Sequence, residues 1–268
     1  MSEQAIALPR RSWPSAPNGP AFRKVLSALA SVVVMGLLWE WATGHFRINP
    51  LYLPPLSDVF RTMMEAKDAF IDSSIKTILE TVIGYGIGVL FGLLSAYVFF
   101  EVKTFRSMFF PVFIVSQTVP VIAFGAIVVM VFGNGLASKA IIAFYLTFFP
   151  VTVNALAGLL SVPQGQVALL RSFGASGWQV FWRLRFPAAL PSIFVALRLS
   201  VTLALIGAIV GEWFGDTSGL GVLLLSAMFY ENSALMWAAI LATAVVGATL
   251  YGIVAAAESA VVFWKEEM

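Results

Sequence analysis

The sequence predicts an all-α fold, a polytopic membrane protein with six transmembrane helices. Three observations carry that prediction. Hydrophobic residues fill 60% of the 268 positions and charged residues only 11%, where a soluble domain carries about a quarter charged. Mean hydropathy is +0.91. The apolar residues form continuous runs long enough to cross a hydrocarbon core of about 30 Å at about 1.5 Å per helical residue. The short alternating segments of a membrane β-barrel are not seen.

Residues 1–24 are polar, with Pro9, Pro14, Pro17 and Pro20 beside the basic Arg10, Arg11, Arg23 and Lys24. They read as a disordered cytoplasmic tail ahead of a membrane domain over 25–268. The first span, 25–44, is longer than a signal-peptide core and ends in Trp39-Glu40-Trp41. That ending resembles an interfacial aromatic belt, so the span is read as uncleaved. Asn49-Pro50 and Pro54-Pro55 mark turns, and Ser57-Asp58 precede an amphipathic helix expected over 59–70 on the membrane surface. Five more spans follow, over 76–100, 107–132, 138–160, 187–214 and 236–264. Pro111 and Pro120 should kink the third. Gly84, Gly88, Gly92 and Ala96 share one face of the second, and Gly207, Gly211 and Gly215 share one face of the fifth. Such stripes let helices approach closely.

Basic residues set the orientation. With the N-terminus inside, Arg10, Arg11, Arg23, Lys24, Lys103, Arg106, Arg171, Arg183, Arg185 and Lys265 are cytoplasmic. Only Arg47, Arg61, Lys67 and Lys139 are outside, with Lys76 at the border. This predicts cytoplasmic N- and C-termini and places 161–187 in the cytoplasm.

Composition also excludes functions. A net charge of +2 does not suggest a nucleic-acid partner, and with no cysteine there is no disulfide or thiolate site. His45 is the lone histidine and makes no metal site by itself. The run Gly133-Asn134-Gly135-Leu136-Ala137-Ser138-Lys139 lacks the Gly-Lys-Ser/Thr ending of a phosphate loop, so this chain is not expected to hydrolyse ATP or hold a cofactor. Scattered acids and one histidine argue against a membrane-embedded enzyme.

The segment 163–187 reads as a helix–turn–helix. Pro163 starts a helix over 164–173, Gly174 supplies a turn, and 177–184 forms a second helix. Trp178, Phe181 and Trp182 give that helix an aromatic face between Arg183 and Arg185, and Pro187 stops it and opens the fifth span. The bland reading is an interfacial loop with aromatics and arginines at the headgroups. The functional reading is a rigid plug.

Gly174-Ala175, nine residues, then Arg185-Phe186-Pro187 resembles the cytoplasmic coupling loop of ABC importer permeases, binding-protein-dependent inner-membrane components. The usual Glu-Ala-Ala of that loop is Ala168-Leu169-Leu170 here. Leu53-Pro54-Pro55-Leu56-Ser57-Asp58-Val59, Phe148-Phe149-Pro150-Val151 and Gly219-Leu220-Gly221 are similar to the nitrate/sulfonate/taurine branch. Gly207-Ala208-Ile209-Val210-Gly211-Glu212 is similar to members importing pyrimidine-like vitamin precursors or riboflavin. The resemblance implies a type I permease subunit in a bacterial-type inner membrane. It implies ATPase subunits that hold the ATP, an extracytoplasmic substrate-binding protein, and a second copy or similar permease. It makes Ala168, Arg171, Gly174, Ala175, Trp178, Phe181, Arg183, Arg185 and Pro187 the ATPase-coupling residues.

Polar residues inside apolar spans supply pathway or gate candidates. Arg198 and Glu258 lie at similar depth and either pair with each other, or Arg198 snorkels to the headgroups. Gln117 either lines a solute path or bonds helices together. Glu80 and Glu212, with Glu40, either form an acidic outer vestibule or are unrelated interface residues. The alternative class is an autonomous secondary transporter or channel. It calls for internal symmetry and mid-membrane ionisable sites.

Overall fold

The computed structural model describes residues 20–264. Among them no strand occurs and every regular element is a helix. The tail expected up to residue 24 falls mostly outside the described residues, as does Lys265. The chain divides after Asp58 into two compact units.

In the first unit α1 (Pro20–His45) occupies the stretch of the predicted first span. The Trp39 indole donates to the Pro54 carbonyl at 3.0 Å. The Glu40 carboxylate accepts from the Ser57 hydroxyl at 2.8 Å and its amide at 3.1 Å. Trp41 stacks on His45 with ring centroids 4.8 Å apart.

The amphipathic helix is α2 (Leu56–Glu65), shifted and shortened from the expected 59–70. Ala66, at φ −102° and ψ 22°, ends it, and α3 (Lys67–Glu101) begins at once. The second span is therefore the apolar part of a 35-residue helix whose first turns are polar. Hydropathy locates the membrane, not the helix end.

In the second unit α4 (Lys103–Ser116) and α5 (Val121–Phe132) share the third predicted span but are bent by 95° between them. Pro120 is the N-cap of α5, whereas Pro111 sits inside α4 without breaking it. The Tyr145 hydroxyl lies 2.8 Å from the Ser116 carbonyl and 3.3 Å from that of Val119, serving oxygens freed by the break. Next come α6 (Leu136–Leu160), α7 (Gln164–Ser172) and α8 (Gly177–Val180). A π-helical turn over Phe181–Arg185 joins α8 to α9 (Phe186–Glu212), so that 177–212 is one 36-residue rod. The chain closes with α10 (Leu220–Phe229), too short to cross a bilayer, and α11 (Ser233–Val261). Among the described residues four helices are long and apolar enough to cross, or five if the bent pair is one span.

Helix α6 is the spine, held between α3 and α9. A Cβ on Gly84 would fall 2.5 Å from the Ala143 Cβ, and one on Gly88 would fall 2.5 Å from the Thr147 Cβ. From the other side, a Cβ on Gly207 would meet the Ala143 Cα at 2.8 Å. The two predicted stripes thus grip the same helix. The third member of the second stripe departs: Gly215 lies past the end of α9 with φ +92°.

Candidate functional site

The loop between α6 and α9 is built by local chemistry. Gly174, at φ +81°, ends α7 in a Schellman motif. The Ala175 amide donates to the Leu170 carbonyl at 3.1 Å, and the Gly174 amide to that of Arg171 at 2.9 Å. Ser176 then starts α8 with a capping box: its hydroxyl accepts from the Gln179 amide at 3.3 Å, and its own amide donates to the Gln179 side chain at 2.8 Å. Val162, Val167 and Val180 pack beneath the two arms with Leu170, Ala175 and Leu184, a small core that fixes the angle between them.

Two expectations need correction. Pro163 is the N-cap of α7 rather than its first residue. Pro187 does not stop the second arm; it lies in the first turn of α9, and the arm runs through it. The π turn is the physical reason. The Phe186 amide reaches back five residues to the Phe181 carbonyl. The register is widened where a proline ring would otherwise strike the carbonyl four residues behind it.

The coupling candidates divide by orientation. Ala168, Arg171, Gly174, Trp178 and Arg183 are exposed, with Phe173 80% exposed and Trp178 64%. Large apolar side chains are thus left uncovered on both arms. Ala175, Phe181, Arg185 and Pro187 are half-buried and anchor the arms to the bundle. The Phe181 ring meets Tyr97 at 5.3 Å. The Arg185 guanidinium lies 4.8 Å over Phe100 and donates to the Leu159 carbonyl at 3.3 Å.

Arg198 and Glu258 meet within one chain, Nε to Oε2 at 3.0 Å, joining α9 to α11. Gln117 is exposed at the break between α4 and α5. Glu80 and Glu212 do not open to an acidic vestibule: they are 1% and 0% exposed. Glu212 accepts from the Thr77 hydroxyl at 2.6 Å and from the Gly221 amide at 2.5 Å, while Thr77 also accepts from the Leu220 amide at 3.0 Å. Glu212 therefore fastens the start of α10 to α3. Glu40 is tied to Ser57 within the first unit.

Sequence reasoning missed the rest of this tie. Asp216 lies 2.6 Å from the Lys76 ammonium and 3.0 Å from that of Lys139. Lys139 is itself bonded to Asn134, whose amide reaches the Gly215 carbonyl. Burial alone would raise the Asp216 carboxyl, but the two ammonium groups and the Thr217 amide outweigh it and hold it below the ordinary aspartate value. Lys139 is fully buried and is not the loop charge that the orientation argument assumed. The available signal was the cost of lysine beside apolar runs, which requires a partner.

A family model described as the binding-protein-dependent transport system inner membrane component matches residues 88–262. The chain is 33% identical over 231 residues to a probable ABC transporter permease protein of Haemophilus influenzae, covering 85% of this chain and 93% of that one. It is 36% identical over 190 residues to the formylaminopyrimidine transport permease of Halalkalibacterium halodurans, covering 70% and 76%. It is 29% identical over 216 residues to the taurine transport system permease of Escherichia coli, covering 78% of each. A chain from the inward-facing MetNI methionine ABC transporter superposes with a TM-score of 0.64 at 16% identity, covering 74% of this chain and 98% of that chain. At that identity the likeness is one of fold.

Proposed function

Because this chain belongs to the family of binding-protein-dependent transport system inner membrane components, we propose that it forms half of an importer's solute pathway and couples that pathway to separate ATPase subunits through residues 161–187. It is a non-catalytic permease subunit. The observation that carries the coupling is the rigid plug, two arms locked by the Gly174 Schellman motif and the Ser176 capping box with Phe173 and Trp178 exposed. One such plug engages one ATPase, so two copies of this chain, or one with a similar partner, pair around the path. A substrate-binding protein docks at the opposite end. Approach of the ATPases on binding ATP moves the plugs, and the loaded binding protein favours the same state of the membrane helices.

The proposed cargo is a small heterocycle of the vitamin-precursor kind. The support is the 36% identity to the formylaminopyrimidine permease, against 29% to the taurine permease. Burial of Glu80 and Glu212 removes them as a constraint on cargo charge. A sulfonate- or nitrate-type anion is the competing outcome of the assay.

The test is uptake into proteoliposomes holding this chain, its ATPase and its binding protein. Phe173→Ala and Arg183→Glu, both exposed on the arms, should lower co-purification of the ATPase and ATP-driven uptake together while the melting temperature holds. A labelled aminopyrimidine should compete where taurine does not. Full ATPase retention in both variants would overturn the coupling role, and uptake of taurine alone would overturn the cargo.

A further inference from the structure

Two cavities meet on the side of the plug that faces the bundle. The first, about 510 Å³, lies between the junction of α3 and α4 and the inner side of α7 and α8. Four cations line it, Lys103, Arg106, Arg171 and Arg185, against one carboxylate, Glu101. Among the described residues none of the four forms an ion pair within 4.0 Å. The Arg106 Nη1 is buried and without a hydrogen-bond partner. A buried guanidinium N–H left in that state is costly, and an anionic oxygen is the acceptor that suits it.

The second cavity, about 310 Å³, adjoins the first and shares Tyr97, Trp178 and Phe181 with it. Beyond those rings its walls are apolar, with Leu90 and Leu94 on α3, Ala155 on α6 and Ile193 on α9. From Tyr97 to Leu90 it follows α3 for about 10 Å at 1.5 Å per residue. A basic chamber at one end of a membrane bundle therefore continues into an apolar slot along its helices.

We propose that the two cavities are one site for an anionic phospholipid, with the phosphodiester among the four cations and an acyl chain in the slot between α3 and α9. Charge selects the headgroup: four cations against one carboxylate suit a net-negative lipid and not a zwitterionic one. The slot selects a lipid over free phosphate, which would use the first chamber alone. Trp178 and Trp182 line the slot near its basic end and supply the aromatic rings that favour a headgroup boundary. A lipid seated there would brace the inner side of the plug against Arg171 and Trp178 while leaving Phe173 and Arg183, which line neither cavity, free. The proposal rests on the chain spanning a bilayer and is independent of its cargo.

The experiment is native mass spectrometry of the assembled transporter in mild detergent, titrated with phosphatidylglycerol and phosphatidylcholine of matched acyl chains. One phosphatidylglycerol per chain should be held at least tenfold more tightly than phosphatidylcholine. Lys103→Gln with Arg106→Gln should weaken it about 25-fold, at about fivefold per charge removed. Leu94→Trp, which fills the slot and leaves every charge, should also weaken it. Equal retention of the two lipids, no response to Leu94→Trp, or complete displacement by millimolar inorganic phosphate would overturn the proposal. Retention of the lipid only after the ATPase has been stripped from the assembly would overturn it too, giving the chamber to the ATPase. If the charge variant does not fold, bromine-labelled acyl chains decide on the native protein. Trp178 fluorescence, isolated by difference from Trp178→Phe, should be quenched more by labelled phosphatidylglycerol than by labelled phosphatidylcholine, and equal quenching would count against the site.

Discussion

Replacing Glu212 with glutamine tests the tie between α3 and α10 directly. The change keeps the shape of the side chain and removes one acceptor. The two carboxylate oxygens serve different donors, Oε1 the Thr77 hydroxyl at 2.6 Å and Oε2 the Gly221 amide at 2.5 Å. A glutamine has one acceptor oxygen and one amino group. The amino group has no place against the Gly221 N–H, so it must turn toward Thr77. Thr77 already accepts from Leu220, so its hydroxyl loses the carboxylate acceptor it uses in the native chain. The Thr77 bond to the carboxyl is lost and its amide neighbours must readjust, about 2 kcal/mol in all. For a chain of this length that lowers the melting temperature by roughly 4–8 °C. Thermal unfolding of the purified transporter, monitored by tryptophan fluorescence, gives the value. A double-mutant cycle of Glu212→Gln with Thr77→Val should return a coupling of about 1 kcal/mol or more, because the residues share one bond. An unchanged melting temperature and zero coupling would refute the tie.

Other outcomes follow from the same geometry. Gly88→Leu should cost about 3 kcal/mol or abolish assembly, since the Cβ alone would lie 2.5 Å from Thr147, whereas Gly86→Leu, with nothing within 4 Å, should melt as the native chain does. Arg198→Glu should destabilise by about 2 kcal/mol, discounted from the range for buried pairs because the Arg198 side chain is 28% exposed. The exchange Arg198→Glu with Glu258→Arg should recover most of that loss, measured by melting and uptake. The lowered Asp216 carboxyl contributes stability above the ordinary value of 3.8 and loses it as pH falls through its own lower value. Melting curves of the native chain and of Asp216→Asn should stay apart at neutral pH and converge only below about pH 3.8.

Features written in a short window of sequence were legible. Apolar runs of twenty residues announce spans, four-residue glycine spacing announces close packing, and Gly174 followed by Ser176 and Gln179 announces a turn and a cap. The same logic placed Arg198 and Glu258 at one depth. What escaped depends on separation in the chain. Thr77 meets Glu212 across 135 residues and Lys76 meets Asp216 across 140, so no local pattern shows that either is paired. The 95° bend was legible as a kink at Pro120 but not as a corner, because proline removes one bond while the angle is set by what the freed carbonyls meet, here Tyr145 on another helix. The start of α3 at Lys67 escaped because helix and membrane end in different places.

The unbroken passage from the second arm of the plug into α9 makes residues 177–212 a beam. Thirty-six residues at about 1.5 Å each give a length near 54 Å, with the plug at one extremity and Glu212 at the other. The beam packs closely on α6 from Ala189, near the plug, to Gly211, at the far end. A tilt of about 5° about the midpoint moves each extremity by about 2 Å, in opposite senses. A rigid tilt of that kind would displace Glu212, and the α10 helix fastened to it, in the sense opposite to the plug.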